Sequence, residues 1–287
     1  MSSTLWLTAV AMVAFAGNSL LARLAMASGG IDAAGFTGVR LAAGAAVLGL
    51  ILVLSRRDQG YGNTRRPAGS WTSAAALFVY AIAFSLAYGR VGAAVGALVL
   101  FAAVQATMIA WGLVRGERPS LREGVGLLVA FAAFVWWLVP GLTRPDPIGT
   151  ALMIVSGAAW GVYSLRARGA GDPTRVTAGN FIRTLPVALP LIVLSLVRGG
   201  ISGEGLIVAL LSGGVTSGLG YILWYRALEG LTALSAAIVQ LSVPVIAALG
   251  AVLFLGESLS LRFAIAGALV IGGIAFALMA KRRRIPA

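Results

Sequence analysis

The residues that could do chemistry in this sequence are amides and aromatic rings set within long apolar stretches. Gln105, Gln240 and Asn18 carry amides that are costly to bury in hydrocarbon without a polar partner or a wet cavity, so we expect them to face inward. An aromatic cavity with amide donors suits a zwitterion or a flat apolar side chain. The candidate substrate-binding residues are Tyr80, Phe84, Phe101, Gln105, Trp160, Tyr163, Ser164, Tyr221, Trp224 and Gln240.

The composition excludes most kinds of catalysis. With no cysteine and no histidine, the chain has no thiol nucleophile, imidazole base, disulfide or Cys/His metal site. The nine acidic residues fall in predicted loops or at helix ends, so a buried carboxylate relay for protons is not expected either. We therefore expect no enzyme activity, no catalytic residues, no metal and no cofactor.

Two arginines and two glutamates could have either a structural or a functional role. Arg40 and Arg183 each lie well inside an apolar stretch. Their side chains could snorkel to the headgroups or bond between helices, or an arginine beside a cavity could attract a substrate carboxylate. Glu117 and Glu257 precede the starts of helices, where a carboxylate can accept backbone N–H bonds or pair with arginine, so a local structural role is favoured for both.

The elements that must position these residues are membrane-spanning helices. The chain of 287 residues is 59% hydrophobic and 11% charged, far more apolar than a soluble domain. Ten apolar stretches are long enough to span a bilayer. Their predicted limits are 4–26, 32–54, 70–89, 92–113, 120–139, 147–168, 174–197, 203–226, 231–254 and 259–280.

Several residue types predict how these helices pack. Gly157-xxx-Gly161 and Gly214-xxx-Gly218 would let helix backbones approach closely. Pro244 removes a backbone bond and permits a bend. A further group of tryptophans is assigned to the membrane–water interfaces. They are Trp6, Trp71, Trp111, Trp136 and Trp137.

Basic residues predict the orientation of the chain. Fifteen fall in the tail and the loops on the N-terminal side of the membrane, and six fall on the opposite side. The positive-inside rule then places both termini in the cytoplasm. The net charge of +13 is therefore read as a topology signal and not as a nucleic-acid surface.

The chain also repeats internally. The segment 116–122, GERPSLR, returns at 256–262 as GESLSLR, with five of seven positions identical. This predicts two five-helix repeats, residues 1–140 and 141–287. Because each half has an odd number of spans, the two would insert in opposite directions, as in secondary transporters whose substrate site lies near the midplane between inverted repeats.

The sequence resembles the ten-helix EamA-type exporters of the drug/metabolite transporter superfamily. The residues that carry the resemblance are mostly in the second half, and the first half shows the same pattern more weakly, with Val104 where the repeat has Pro244. They are Tyr225-Arg226-Ala227-Leu228, Thr232-Ala233, Ala236-Ala237, Pro244, Gly256-Glu257 and the run from Gly267 to Gly273. Similar members export amino acids and other small metabolites, some of them aromatic, from the bacterial cytoplasm.

The resemblance implies an all-α integral membrane protein of the bacterial inner membrane that exports small metabolites, above all amino acids, by alternating access. An exporter of neutral or apolar drugs with the same fold is the alternative, and a non-transporting membrane scaffold is the alternative from another class. The expected partners are a small-molecule substrate and membrane lipid, without nucleic acid. A monomer suffices for the expected transport, and the oligomeric state is left open.

Overall fold

A computed structural model describes residues 2–57, 68–91, 93–141, 146–255 and 260–279. Among these residues the protein is all-helical, with ten helices long and apolar enough to cross a membrane. They are α1 Ser3–Met26, α2 Ala33–Ser55, α3 Trp71–Tyr88, α4 Ala94–Val114, α5 Leu121–Leu138, α6 Pro147–Leu165, α7 Pro173–Val197, α8 Gly203–Leu228, α9 Ala233–Phe254 and α10 Leu261–Met279.

The predicted limits agree with these helices to within a few residues, and the predicted all-α fold with ten spans is confirmed. The predicted limits at 92, 259 and 280 lie outside the described residues, as does the repeated Gly256-Glu257.

Polar caps fix where several helices begin. The Asp146 side chain accepts from Gly149 N–H and precedes Pro147 at the first position of α6, and Asp172 and Pro173 repeat this arrangement at α7. At α5, Ser120 and Glu123 form a reciprocal capping box. In an apolar sequence these short polar signals are what separate one span from the next.

Two helices are irregular near their middles. The segment Ser212–Leu219 of α8 is π-helical, and α9 is interrupted at Leu241, between Ala233–Gln240 and Ser242–Leu255. The interruption in α9 precedes Pro244, which has no N–H to donate to the Gln240 carbonyl. A π-helical turn widens the backbone and is often found at functional sites. Both irregularities lie beside the site described below.

The ten helices pack in pairs that recur between the halves. Helix α2 packs along α7, α4 packs on α9, and α5 packs along α10. Helix α3 contacts α6 and α7, while α8 contacts α1 and α2. Likewise α4 contacts α6, and α9 contacts α1. When each helix is replaced by the one five places away in the chain, the first three contacts map onto themselves, and each of the other contacts maps onto another in this set.

The links between helices collect at two ends of the bundle. At the end where α1 begins, here called the proximal end, Arg168 bonds Glu117 and the Leu231 carbonyl, and so joins three links. At the opposite, distal end, Ile31 and Ile201 form an isolated β-bridge between the α1–α2 and α7–α8 links. Successive helices therefore run in alternating directions through the bundle, as membrane spans with short links must.

Glycines set the closest helix contacts. A Cβ added at Gly157 of α6 would lie 2.4 Å from the Leu100 carbonyl oxygen of α4, and one at Gly213 of α8 would lie 2.2 Å from the Arg40 carbonyl oxygen of α2. A real side chain at either position would have to displace backbone. The predicted small-residue packing is thus present in α6, where Gly161 is also tight against Thr107.

Candidate functional site

The candidate site is a pair of adjoining cavities on the path from the distal end to the middle of the bundle. The larger, the distal cavity, has a volume of about 250 Å³ and lies among α1, α3, α4, α5, α6 and α9. The smaller, the central cavity, has a volume of about 40 Å³ and also reaches α8. Both are lined by Ser19, Phe84, Leu100, Phe101 and Val243, so the two spaces adjoin.

Aromatic rings form the wall of the central cavity. The Trp160 ring centroid is 4.9 Å from that of Tyr80 and 4.9 Å from that of Tyr221. Phe15 of α1 meets Trp160 edge to face at 5.2 Å and Tyr221 at 5.7 Å. These separations are those of interacting aromatic pairs, so four helices present one continuous aromatic surface to the cavity.

The Trp160 indole is hydrogen-bonded to a glutamine amide on α9. Its Nε1–H donates to Oε1 of Gln240 at 2.7 Å. The Gln240 amide nitrogen donates in turn to the Ala236 carbonyl at 2.9 Å. Trp160 on α6 and Gln240 on α9 both line the central cavity, so this hydrogen bond fixes two of its walls relative to each other.

A buried guanidinium lies directly behind two of the cavity tyrosines. Arg40 of α2 is only 1% exposed. Its Nη2 donates to the Tyr80 hydroxyl at 3.1 Å and to the Tyr221 hydroxyl at 2.5 Å, and its Nε donates to Ser217 Oγ at 2.8 Å. Arg40 was expected either to snorkel to the headgroups or to bond between helices, unless it contacts substrate. The structure shows hydrogen bonds from Arg40 to neighbouring helices and no snorkelling.

The π-helical part of α8 supplies further hydroxyls to this network. Ser212 Oγ donates to Oδ1 of Asn18 at 2.7 Å, and the hydroxyls of Thr216 and Ser217 lie 3.4 Å from the same oxygen. Asn18 lines the central cavity. The amide predicted to face inward does so, and it finds its partners on a helix whose backbone is widened at that level.

At the proximal end a carboxylate ties neighbouring links together. Glu117 in the α4–α5 link accepts hydrogen bonds from the backbone N–H groups of Ala233 and Leu234 at the start of α9, and it forms an ion pair with Arg168 at 3.1 Å. The structural role predicted for Glu117 is therefore present, although its partners belong to other links and not to α5.

The same contacts change the acidity of this carboxylate. Partial burial by itself raises the pKa of the Glu117 carboxyl, but the hydrogen bonds and charge supplied by Ala233, Arg168 and Leu234 outweigh it. The net result is that the pKa of Glu117 lies below its usual value. The group is therefore held as a carboxylate, which suits its position at the start of α9.

The structure distributes the ten predicted binding residues over two environments. Six line the cavities: Tyr80, Phe84, Phe101, Trp160, Tyr221 and Gln240. The other four are buried between helices away from both cavities: Gln105, Tyr163, Ser164 and Trp224. Gln105 donates to the Ala237 carbonyl at 2.8 Å, and Trp224 donates to Ser164 Oγ at 3.1 Å.

Other predicted residues also differ in environment. Arg183 is half-buried and donates to the carbonyls of Ala68 and Gly179, so it ties α7 to the start of α3. Trp6 and Trp71 are exposed as expected for interfacial residues, but Trp137 lines the distal cavity and packs on Phe263.

Sequence reasoning missed Phe15, which contacts three aromatic residues of the cluster. The available signal was its spacing of three residues from Asn18, which places both on one face of α1.

Comparisons with known proteins agree with this architecture. The sequence model of the EamA-like transporter family matches residues 147–279, which are the helices from α6 to α10. The chain is 50% identical over 276 residues to an uncharacterized protein of Pseudomonas aeruginosa, PA1977, covering 96% of this chain and 94% of that one. A solved structure titled only as the crystal structure of a protein covers 98% of this chain and 99% of its own, with a TM-score of 0.79 at 21% identity, and therefore supports the fold alone. The five C-terminal helices, α6 to α10, therefore form a domain of the EamA-like transporter family.

Proposed function

We propose that this protein is a secondary transporter that exports amino acids or similar small metabolites across the bacterial inner membrane by alternating access. The observation that carries the proposal is a passage, formed by the two adjoining cavities, that leads from the distal end toward the middle of the bundle. The central cavity lies at its blind end, among Trp160, Tyr80 and Tyr221, where a substrate would be bound.

The matched contacts between the halves support an inverted repeat of residues 1–140 and 141–287. Exchanging each helix with its counterpart five places away turns the α3–α6 contact into the α8–α1 contact, and the α2–α7 contact into itself. The family match to α6–α10 alone also fits a unit of five helices. Two such units inserted in opposite directions can open alternately toward the two sides.

The charge distribution supports the orientation. Arg166, Arg168 and Arg175 lie in or beside the α6–α7 link at the proximal end. By the positive-inside rule this end faces the cytoplasm, together with both termini. In this proposed orientation the two cavities lie toward the outside, and Glu117 and Arg168 join the links on the cytoplasmic side.

The lining of the central cavity supports small substrates with a flat apolar part. Its space is narrow, its rings are closely spaced, and Gln240 and Asn18 provide the polar groups that fix orientation. Aromatic and branched amino acids combine a suitable side chain with a small polar end. A neutral drug would use the apolar surface of the distal cavity in the same way, which makes it the competing substrate class.

The test is flux in proteoliposomes that contain the purified protein. Vesicles are preloaded with radiolabelled phenylalanine or leucine, or with a neutral apolar drug, and efflux is compared with that from protein-free vesicles. Protein-dependent efflux of the amino acids supports the proposal. Efflux of the drug alone would assign the competing class, and no protein-dependent flux of any solute would indicate a scaffold.

A further inference from the structure

Arg40 is a buried cation whose charge is left without a counter-ion. Its guanidinium is protonated at any physiological pH, and an unpaired charge in a low-dielectric interior is costly. Among the described residues its partners are the hydroxyls of Ser217, Tyr80 and Tyr221, and no carboxylate pairs with it. Its Nη1 is buried and has no hydrogen-bond partner in the described part of the chain.

The hydroxyls in front of Arg40 are oriented by it. Because Nη2 donates to both tyrosine oxygens, each hydroxyl proton must point to some other acceptor. The two oxygens are 3.5 Å apart, longer than an ordinary O–H···O bond, so they do not satisfy each other well. Tyr80 and Tyr221 both line the central cavity. The result is two tyrosines that line the central cavity and whose hydroxyl oxygens are held by a positive charge.

The charged residue that lines the distal cavity is also positive. Arg23 lines the distal cavity, and among the described residues that line the two cavities there is no aspartate or glutamate. An anionic group that enters from the distal end therefore meets positive charge and hydrogen-bond donors, and no described residue of the cavity walls presents a carboxylate to repel it. In a site shielded from water such fields act with little screening.

We infer that Arg40, Tyr80 and Tyr221 form a carboxylate-binding subsite at the blind end of the passage, and that the substrates are carboxylate-bearing metabolites. The inference rests on the proposed transport function and narrows its substrate class. A planar carboxylate presents two acceptor oxygens, which matches the two tyrosine donors. The central cavity, at about 40 Å³, has room for a group of a few atoms.

Binding of a simple probe tests the subsite without transport. Benzoate and benzamide have the same ring and differ in charge, and their binding to the purified protein is measured by calorimetry. We expect benzoate to bind wild type roughly tenfold more tightly than it binds the Arg40→Gln variant, because the positive charge behind the two tyrosine donors is lost. Benzamide should bind both proteins weakly and equally.

A second variant guards against loss of folding. Tyr221→Phe removes one donor and keeps the aromatic ring, and Tyr225→Phe is its matched control, because the Tyr225 hydroxyl is equally buried but donates to the Tyr163 carbonyl away from the cavities. Tyr221→Phe should weaken benzoate binding by several-fold, while Tyr225→Phe should not. Thermal unfolding of each variant shows whether it is folded.

The results separate failure of the subsite from failure of the transport proposal. Equal binding of benzoate and benzamide to wild type, or benzoate binding unchanged in Arg40→Gln, would overturn the subsite. Equal affinity for phosphate and benzoate would overturn the choice of carboxylate. In proteoliposomes, phenylalanine should be transported at least tenfold faster than phenylalaninamide. If benzoate binds as expected but no amino acid is transported, the subsite stands and the transport proposal fails.

Discussion

Trp160 and Gln240 are joined by a 2.7 Å hydrogen bond that connects the middle of α6 to the middle of α9. Both side chains line the central cavity, and both are almost completely buried. The bond therefore sets the width of the cavity and satisfies two polar groups that would be costly to leave unpaired in a membrane protein.

Removing the indole donor should impair binding more than folding. Trp160→Phe keeps an aromatic ring but leaves Oε1 of Gln240 without this donor, at a cost of about 0.5–1.5 kcal/mol. We expect the KM for a transported amino acid to rise roughly two- to tenfold. Trp111→Phe, at an exposed position on α4, is the control. An unchanged KM in Trp160→Phe would show that the bond does not shape the site.

Loss of the Glu117 charge should loosen the proximal end. Because the chain has no cysteine, a single Ser235→Cys substitution provides one thiol for labelling. This position is buried in α9, next to the backbone N–H groups that donate hydrogen bonds to Glu117. Adding Glu117→Gln weakens the charge-assisted hydrogen bonds to the start of α9 and to Arg168, so the thiol should become accessible more often. We expect its labelling to be roughly three- to tenfold faster.

The matched control for this experiment is Glu123→Gln. Glu123 is another acidic residue near the proximal end, but it belongs to the capping box of α5, where glutamine is also a suitable residue. Labelling in Glu123→Gln should equal that of the parent. Equal labelling rates in all three proteins would mean that Glu117 does not hold the proximal end closed.

Stability should depend on pH through the same carboxyl. The pKa of Glu117 is lowered in the folded protein, so the unfolded chain binds the proton more readily. The stabilising contribution is complete above the ordinary pKa of a glutamate, about 4.3. It is lost as pH falls through the lowered pKa.

The thermal stability advantage of wild type over Glu117→Gln should therefore be constant from neutral pH to about pH 5 and shrink in more acidic solution. Unfolding midpoints measured in detergent across this range check the expectation. An advantage that grows on acidification would contradict the assigned sign of the shift.

Close approach of α4 and α6 should make Gly157 intolerant of even one methyl group. Gly157→Ala places a Cβ 2.4 Å from a backbone oxygen, so the helices must separate. We expect a loss of about 1–3 kcal/mol in stability. Gly272→Ala on the exposed face of α10 meets nothing within 4 Å and should change stability by less than about 0.5 kcal/mol. Unfolding midpoints of the two variants give the comparison.

The helices could be predicted closely because each span must satisfy its own backbone hydrogen bonds and cross a fixed thickness. Length and hydropathy alone then determine most of the limits. The π-helical segment Ser212–Leu219 could not be predicted in this way. Within this segment Gly213 lies close to the Arg40 carbonyl, and such a contact between distant parts of the chain leaves no local sequence pattern.

Which face of a helix meets the cavity was harder to predict than which residues are buried. Gln105 and Gln240 are both buried amides, yet only Gln240 lines the central cavity, while Gln105 bonds to the Ala237 carbonyl. In helices that are apolar on all sides, the sequence pattern does not distinguish a neighbouring helix from a cavity. Arg40 was singled out by the cost of its charge, and that argument did not require knowing its neighbours.

The pairing of α2 with α7 has a mechanical consequence. These helices are fastened near the distal end by the hydrogen bond from Ser195 to Asp32, and they pack tightly in the middle, where Gly44 faces Phe181. Next to Phe181, Asn180 of α7 accepts from the Ser70 N–H and so ties α7 to the start of α3. Helices α2 and α7 are therefore expected to stay together. Under alternating access the other helices would move around this pair, and the guanidinium of Arg40, which α2 carries, would keep its depth in the bundle.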